Sequence, residues 1–202
     1  MKKLIVIVAS LLVAVSAHAQ FGIVAGITSS KSTIDAAVSD VRNITQYHVG
    51  LTYKVDLGLI AIQPSLIYNV KGAKVESIKG LDLTSFDYKN GYLELPVQLQ
   101  AGVNLGVARE YGIVEPFHGF WITNNTTTAG GTKMDINWQN IKDKMEYGVG
   151  LGAGIELIKH VQISARYFWN LGAASNAAIS TAADAVRTKA ASGIIASVAP
   201  LF

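Results

Sequence analysis

The charged side chains that could do chemistry are spread singly along the chain, each between uncharged neighbours. We predict that eight of them share one interior: Lys54, Asp56, Lys71, Glu94, Glu115, Glu146, Glu156 and Arg166. Glu94, Glu146 and Arg166 are expected at a similar depth, and the fork of an arginine can bind two carboxylates. We therefore predict a buried polar network of these three residues with a structural role, in preference to catalysis or proton transfer.

Three histidines beyond the N-terminal segment are the other candidates for acid–base chemistry. His48 is expected at the outer rim of a strand, His118 on an apolar face and His160 in a short turn. None belongs to a recognisable nucleophile motif, and no metal-ligand spacing is present in the sequence. We predict no catalytic, cofactor-binding or metal-binding residues. The alternative is a lipid-modifying enzyme that uses His48 or His118.

Alternation of apolar and polar residues is the main structural signal in the sequence. In YHVGLTYKVDL, residues 47–57, tyrosine, valine and leucine occupy every second position. Eight such runs are predicted as strands, at residues 21–29, 47–57, 60–71, 92–104, 113–123, 145–157, 161–170 and 188–202. Most reach the roughly nine to eleven residues that a tilted strand needs to cross a bilayer. The predicted fold is all-β, an eight-stranded antiparallel up-and-down transmembrane β-barrel.

The connections between these strands alternate between short and long. Short ones are predicted near residues 56–58, 105–112 and 158–160, and long ones at 30–46, 71–90, 124–143 and 171–187. Transmembrane barrels have short periplasmic turns and long extracellular loops. We therefore predict an outer-membrane protein of a Gram-negative bacterium with both termini in the periplasm. Its long loops are the predicted functional surface.

Aromatic residues on the apolar faces cluster by depth. Those near the long loops are Tyr47, Tyr68, Phe120, Tyr147 and Trp169, whereas Phe21 and Phe202 fall at the opposite end. Aromatic rings at the two membrane–water interfaces form girdles around transmembrane barrels. We predict that these side chains form such girdles.

The stretch EYGVGLGAGIEL, residues 146–157, has glycine at every second position from Gly148 to Gly154. A soluble, lipocalin-like barrel that carries a ligand is the alternative architecture, and it would turn this glycine row toward water. In a membrane barrel the same row lines a narrow lumen and leaves room for rings and charged neighbours, including Arg166. The glycines therefore favour the membrane barrel.

The N-terminal segment has the three parts of a secretory signal peptide: the basic MKK, an apolar run and the cleavage site Ala17-His18-Ala19. We predict that residues 1–19 are removed and that residues 20–202 form one barrel domain. Removal of Lys2 and Lys3 lowers the formal net charge from +3 to +1, so we expect no nucleic-acid partner. Cysteine is absent and only 15% of residues are charged, against about 25% in soluble domains.

The chain ends in SGIIASVAPLF, an alternating strand that finishes on Phe202. Such an ending is typical of the C-terminal signal that barrel-insertion machinery recognises, although Pro200 stands where an aromatic residue is common. The predicted partners are this machinery, the outer-membrane lipids and another envelope protein.

Four segments together resemble a known family: AHAQ at the end of the signal, FGIVAGITSS, GYLELPVQLQAGVNLG and EYGVGLGAGIEL. They are similar to the outer-membrane β-barrel domain (PorT-like) proteins of Bacteroidota, and YLELPVQLQ at residues 92–100 is the most specific part. The resemblance implies an eight-stranded outer-membrane barrel over the mature chain. Most members of this family have no assigned biochemical activity, and some are accessory parts of protein secretion.

Overall fold

Ten β-strands account for most of the residues that the computed structural model describes, namely 19–35, 38–78, 86–124, 127–128, 145–172 and 187–202. The strands are β1 (Ala19–Asp35), β2 (Val38–Arg42), β3 (Ile44–Asp56), β4 (Ile60–Ile78), β5 (Phe86–Asn104), β6 (Ala108–Asn124), β7 (Thr127–Thr128), β8 (Met145–Leu157), β9 (Val161–Asn170) and β10 (Arg187–Pro200). No helix in this part of the chain is long and apolar enough to cross a membrane.

Eight of these strands form a single closed antiparallel sheet in the order β4-β3-β1-β10-β9-β8-β6-β5, and β5 pairs back to β4. Closure brings the first and last strands together, with Ala25 opposite Val198. The remaining two strands are short extensions at one end: β2 pairs with the end of β4, and β7 pairs with Phe86 and Asp87 of β5. The predicted all-β, eight-stranded antiparallel barrel is confirmed.

The strands reach further into the predicted long connections than the residue pattern indicated. β4 and β5 stay paired as far as Val75 and Phe86, inside the predicted loop 71–90. Likewise, β1 and β3 are paired as far as Ser30 and Ile44. The polar composition of these segments suggested loops. A continued ladder, however, satisfies their backbone N–H and C=O groups whatever their side chains are.

The connection predicted at 105–112 is also shorter than expected. β6 begins at Ala108, so only residues 105–107 remain in the turn. The tight turn depends on Gly106, which has a φ of +89° and whose N–H donates to the Asn104 side chain. The side with the turns at 57–59, 105–107 and 158–160 is called the short-turn end, and the opposite side the long-connection end.

Prolines interrupt the ladder without shifting its register. Pro64 lies opposite Val97, Pro96 opposite Phe117 and Pro116 opposite Val149. Proline lacks an N–H and cannot donate to its neighbour. Each interruption is short, because regular pairing resumes within a few residues on either side.

The two faces of the barrel have opposite chemistry. On β3 the outward Leu51 is 49% exposed, whereas the inward Thr52 and Lys54 are 2% and 1% exposed. The same division holds on β9, where Ile163 and Tyr167 are exposed and Arg166 is buried. The apolar face is thus outside and the polar face inside, the reverse of a soluble barrel.

The glycine row of β8 faces the lumen. A Cβ atom on Gly148 would lie 2.5 Å from Cζ of Phe117, and one on Gly154 would lie 2.6 Å from Cζ of Tyr111. A Cβ on Gly152 would lie 2.5 Å from the Cβ of Arg166. Three of the four glycines have the predicted role, since their missing side chains leave the space that these neighbours fill, whereas Gly150 has no neighbour this close.

Two alanine substitutions on the same strand test this packing. We expect Gly148→Ala to lower the free energy of unfolding by about 1–3 kcal/mol, because the new methyl group overlaps both the carbonyl oxygen of Trp169 and the Phe117 ring. In Gly150→Ala the nearest atom to the methyl would be the Cβ of Glu115, at an ordinary 3.5 Å. That variant should be unchanged or more stable by up to about 1 kcal/mol. Urea unfolding in phospholipid vesicles measures both, and equal losses would contradict the packing described.

Candidate functional site

The lumen contains a cluster of one ammonium and two carboxylates near the long-connection end. Nζ of Lys71 lies 2.6 Å from Oε1 of Glu94 and 2.8 Å from Oε1 of Glu146. All three side chains are at least 97% buried. The glycine at position 119 makes this convergence possible, because its Cβ would lie 3.0 Å or less from atoms of both glutamates. This Lys71 cluster joins β4, β5 and β8.

Aromatic rings and amides complete the surroundings of the Lys71 cluster. The ammonium lies 4.5 Å from the ring centre of Phe117 and 4.6 Å from that of Phe168, distances at which cation–π attraction operates. Asn69 donates to both oxygens of Glu94, at 3.2 and 3.1 Å, and Asn170 donates to Oε2 of Glu146 at 2.6 Å. The cation and both carboxylates are therefore each held by several partners.

Arg166 belongs to a different pair. Its Nε donates to Oε1 of Glu115 at 2.7 Å, and its Nη1 donates to Oγ of Ser197 at 3.0 Å. The structure therefore brings Glu94 and Glu146 together, but Lys71 supplies the cation between them and Arg166 neutralises Glu115. Arg166 does not meet Glu94 and Glu146 because it lies at a different position around the circumference of the barrel. That position depends on the stagger between strands.

His48 lies deep in the lumen, so its predicted position at the outer rim is wrong. The imidazole is 1% exposed and bridges Oγ1 of Thr28, at 3.1 Å, and Oγ of Ser197, at 2.9 Å. β3 begins at Ile44, which moves position 48 below the rim. Gly26 on the neighbouring strand makes the space, because a Cβ there would lie 2.8 Å from the imidazole.

These groups form one hydrogen-bonded chain. Thr28 donates to Oδ1 of Asn69 at 2.8 Å, and Asn69 donates to Glu94. The chain thereby links the Lys71 cluster through His48 and Ser197 to Arg166. A serine beside a histidine is the arrangement of an activated nucleophile. Here Ser197 also accepts a hydrogen bond from Arg166 and is 5% exposed, as expected of a structural bridge.

A second ionic cluster lies at the short-turn end. Nζ of Lys54 lies 2.6 Å from Oε2 of Glu156 and 3.0 Å from Oδ2 of Asp56. Gln162 donates to the same oxygen of Glu156 at 2.8 Å. Beside this cluster, Arg109 donates to Oε1 of Gln100 at 3.1 Å. The lumen is thus filled by polar groups at both ends.

Sequence reasoning assigned Lys71 to the interior but not to the predicted network, and it missed Arg109. Arg109 fell in the segment 105–112 that was predicted as a turn, so its side chain was not placed on either face. The alternation in β6 carries the signal, because Arg109, Tyr111 and Glu115 are buried while Glu110 is exposed. Extending that alternation by four residues toward the N-terminus, from 113 to 109, would have identified it.

The aromatic residues predicted for the girdles lie on the outer surface, apart from the half-buried Tyr68. Exposed fractions are 54% for Tyr47, 42% for Phe120, 54% for Tyr147, 40% for Trp169 and 72% for Phe202. The rings of Tyr47 and Tyr68 lie 6.2 Å apart at the long-connection end. Phe202 lies at the other end, where its N–H donates to the carbonyl of Phe21. Their girdle role stays a prediction.

The other two histidines lie outside the lumen. His118 is half-buried on the outer face, with its ring centre 4.9 Å from that of Phe120. His160 is exposed in the turn after β8, and its Nδ1 lies 2.7 Å from the carbonyl oxygen of Ile158. Across the described ranges, no group of three or more His, Cys, Asp or Glu residues could hold a metal ion.

The closed sheet, the apolar exterior and the polar lumen agree with a comparison of sequence families. The sequence model of the family described as outer membrane protein beta-barrel domain matches residues 14–176. The chain belongs to this family. It is therefore an outer-membrane β-barrel, and the narrower resemblance to PorT-like proteins of Bacteroidota stays a prediction.

Two solved outer-membrane proteins are similar to the chain. One is Ail, the attachment invasion locus protein of Yersinia pestis, with 15% sequence identity, a TM-score of 0.45, and coverage of 92% of this chain and 99% of that chain. The other is Neisserial surface protein A (NspA), with 10% identity, a TM-score of 0.43, and coverage of 90% and 97%. No curated protein sequence matches the chain.

Removal of the central cation tests the Lys71 cluster. We expect Lys71→Met to lower the free energy of unfolding by about 3–5 kcal/mol, because two buried carboxylates lose the cation that they share. Adding Glu146→Gln should restore part of the loss. Lys159→Met, at an exposed turn position, is the matched control and should change stability by less than about 0.5 kcal/mol. Urea unfolding in vesicles gives the values, and a Lys71→Met barrel as stable as the control would contradict the cluster's role.

Proposed function

We propose that the protein is a non-conducting, non-enzymatic outer-membrane barrel that acts through the segments at its long-connection end, either in surface contacts or as an accessory subunit of an envelope complex. One observation carries the proposal: charged and amide side chains fill the lumen and bind one another. Lys54, Lys71 and Arg166 each lie within 2.8 Å of a carboxylate oxygen. A lumen filled in this way supports a scaffold rather than a transport path.

The orientation in the membrane is part of the proposal. The short-turn end carries both the start of β1 and the C-terminal Phe202, and barrels of this kind place their short turns in the periplasm. We place both termini there, in the envelope of a Gram-negative bacterium. The long connections then lie outside the cell, where loops on a rigid scaffold carry binding functions.

The two ends of the chain suggest how the protein reaches the membrane. The predicted signal peptide, residues 1–19, lies outside the described residues except for Ala19, at which β1 begins. The proposed removal of that segment, which leaves 20–202 as the mature domain, rests on the sequence pattern alone. The paired C-terminal strand, with Pro200 opposite Val161, supports recognition by the barrel-insertion machinery.

A filled lumen predicts the conductance of the purified protein. In planar lipid bilayers the wild-type barrel should show no long-lived open channel, because moving an ion through would require breaking buried ion pairs. The double variant Lys71→Ala/Glu146→Ala removes two side chains that meet across the lumen and should increase ion leakage. Stable conductance by the wild-type protein would overturn the non-conducting role.

Epitope tags at opposite ends test the orientation. A tag inserted between residues 136 and 137 should be labelled by antibody on intact cells, whereas the same tag between Ile158 and Lys159 should be labelled only after the outer membrane is permeabilised. Heat-dependent gel mobility of each tagged protein serves as the folding control. The reverse labelling pattern would place the termini outside the cell and contradict the proposal.

A further inference from the structure

A cavity of about 860 Å³ opens at the short-turn end of the barrel. Its outer wall consists of turn residues, including the apolar Leu57, Leu59 and Val107, and its inner wall includes Asp56, Arg109 and Glu156. Cavities of roughly 300–1,000 Å³ accommodate small organic molecules. The cavity thus joins apolar walls to a charged inner end.

Arg109 has unused hydrogen-bonding capacity at this inner end. The residue is 4% exposed, and its Nε has no hydrogen-bond partner. Nη1 donates to Gln100, whereas Nη2 makes only a long contact of 3.4 Å with the carbonyl oxygen of Leu59. The Tyr111 ring lies below the guanidinium, with its centre 5.3 Å from Cζ. A buried donor without an acceptor is destabilising. The edge of the guanidinium that carries Nε and Nη2 is therefore suited to a ligand that supplies acceptor oxygens.

Arg109 also lacks a carboxylate in direct contact. Each of the other buried lumen cations that the structure describes, Lys54, Lys71 and Arg166, has a carboxylate oxygen within 2.8 Å. No carboxylate oxygen of the described residues lies within 4.0 Å of the Arg109 guanidinium. The two carboxylates of the cavity, Asp56 and Glu156, are both bound to Lys54. Arg109 and Asp56 attract each other only at longer range. An anion in direct contact with the guanidinium would therefore stabilise this buried charge further.

The shape of the free edge indicates which anion fits. Nε and Nη2 of an arginine lie along one edge of the planar guanidinium and donate in parallel to two oxygens of one carboxylate or phosphate group. Leu57, Leu59 and Val107 stand farther out and offer contact to an apolar substituent. The arrangement therefore suits a small molecule or chain terminus with an oxyanion at its head.

We infer that the short-turn mouth binds a small oxyanion, a carboxylate or phosphate carried on an apolar group, with Nε and Nη2 of Arg109 as its anchor. The inference does not depend on the orientation of the barrel. In the orientation proposed above, the ligand enters from the periplasm. Binding supplies Arg109 with an anion in direct contact and its Nε with a hydrogen-bond acceptor.

Arginine side-chain NMR of the barrel refolded in detergent micelles tests this site. The probes are N-acetyl-leucine, its neutral analogue N-acetyl-leucinamide, and inorganic phosphate. We expect the Nε–H resonance of Arg109 to shift in a saturable way with N-acetyl-leucine or phosphate, and not with the amide. Tighter binding of N-acetyl-leucine identifies a carboxylate ligand, and tighter binding of phosphate identifies a phosphorylated one.

Arg109→Gln should weaken binding of the preferred probe at least about tenfold, because it removes the charge and the paired donors. Lys31→Gln, which removes an exposed charge near the long-connection end of β1, is the matched control and should leave the affinity unchanged. Heat-dependent gel mobility shows whether each variant is folded. The inference fails if neither oxyanion moves the Arg109 resonance, if the amide moves it equally, or if folded Arg109→Gln binds as tightly as the wild type. Should Arg109→Gln not fold, the wild-type titration alone decides.

Discussion

Every backbone N–H and C=O group within the hydrocarbon of a membrane must find a partner inside the protein, and this constraint determines the rest of the structure. A sheet meets it only by closing, here through the pairing of the first strand, β1, with the last, β10. Closure with eight strands leaves an interior about as wide as the side chains that fill it. The inward-facing side chains of every strand therefore meet those of other strands, and charged side chains among them need partners.

In the lumen, this requirement is met by ion pairs between strands that are not adjacent. Lys54 of β3 contacts Glu156 of β8, and Arg166 of β9 contacts Glu115 of β6. Glycines on the same strands provide the space, since Gly119 and Gly148 leave room for carboxylates and rings. Charge and glycine positions are thus two parts of one packing arrangement. Arg109 is the described exception, because its charge is buried without a carboxylate beside it.

Period-two alternation was sufficient to predict the eight strands of the barrel and the faces occupied by the charged side chains that it placed inside. It could not predict which inward residues meet, because that depends on how far each strand is staggered against the next. Lys71 rather than Arg166 lies between Glu94 and Glu146 for this reason. The positions of the strand ends were also predicted inaccurately. Polar composition suggested loops where the ladder continues, and this error hid Arg109 and misplaced His48.

The Lys71 cluster has a consequence for how the barrel assembles. Its ammonium and carboxylates come from positions 71, 94 and 146, so they meet only after three separate segments have adopted their final alignment. A strand that slipped by two residues would keep its apolar face toward lipid and its ladder paired, and lipid contacts alone would not detect the mistake. The same slip would leave a buried charge without its partner. The ion pairs of the cluster form only in the correct alignment, so they favour the correct barrel over its closest misaligned forms.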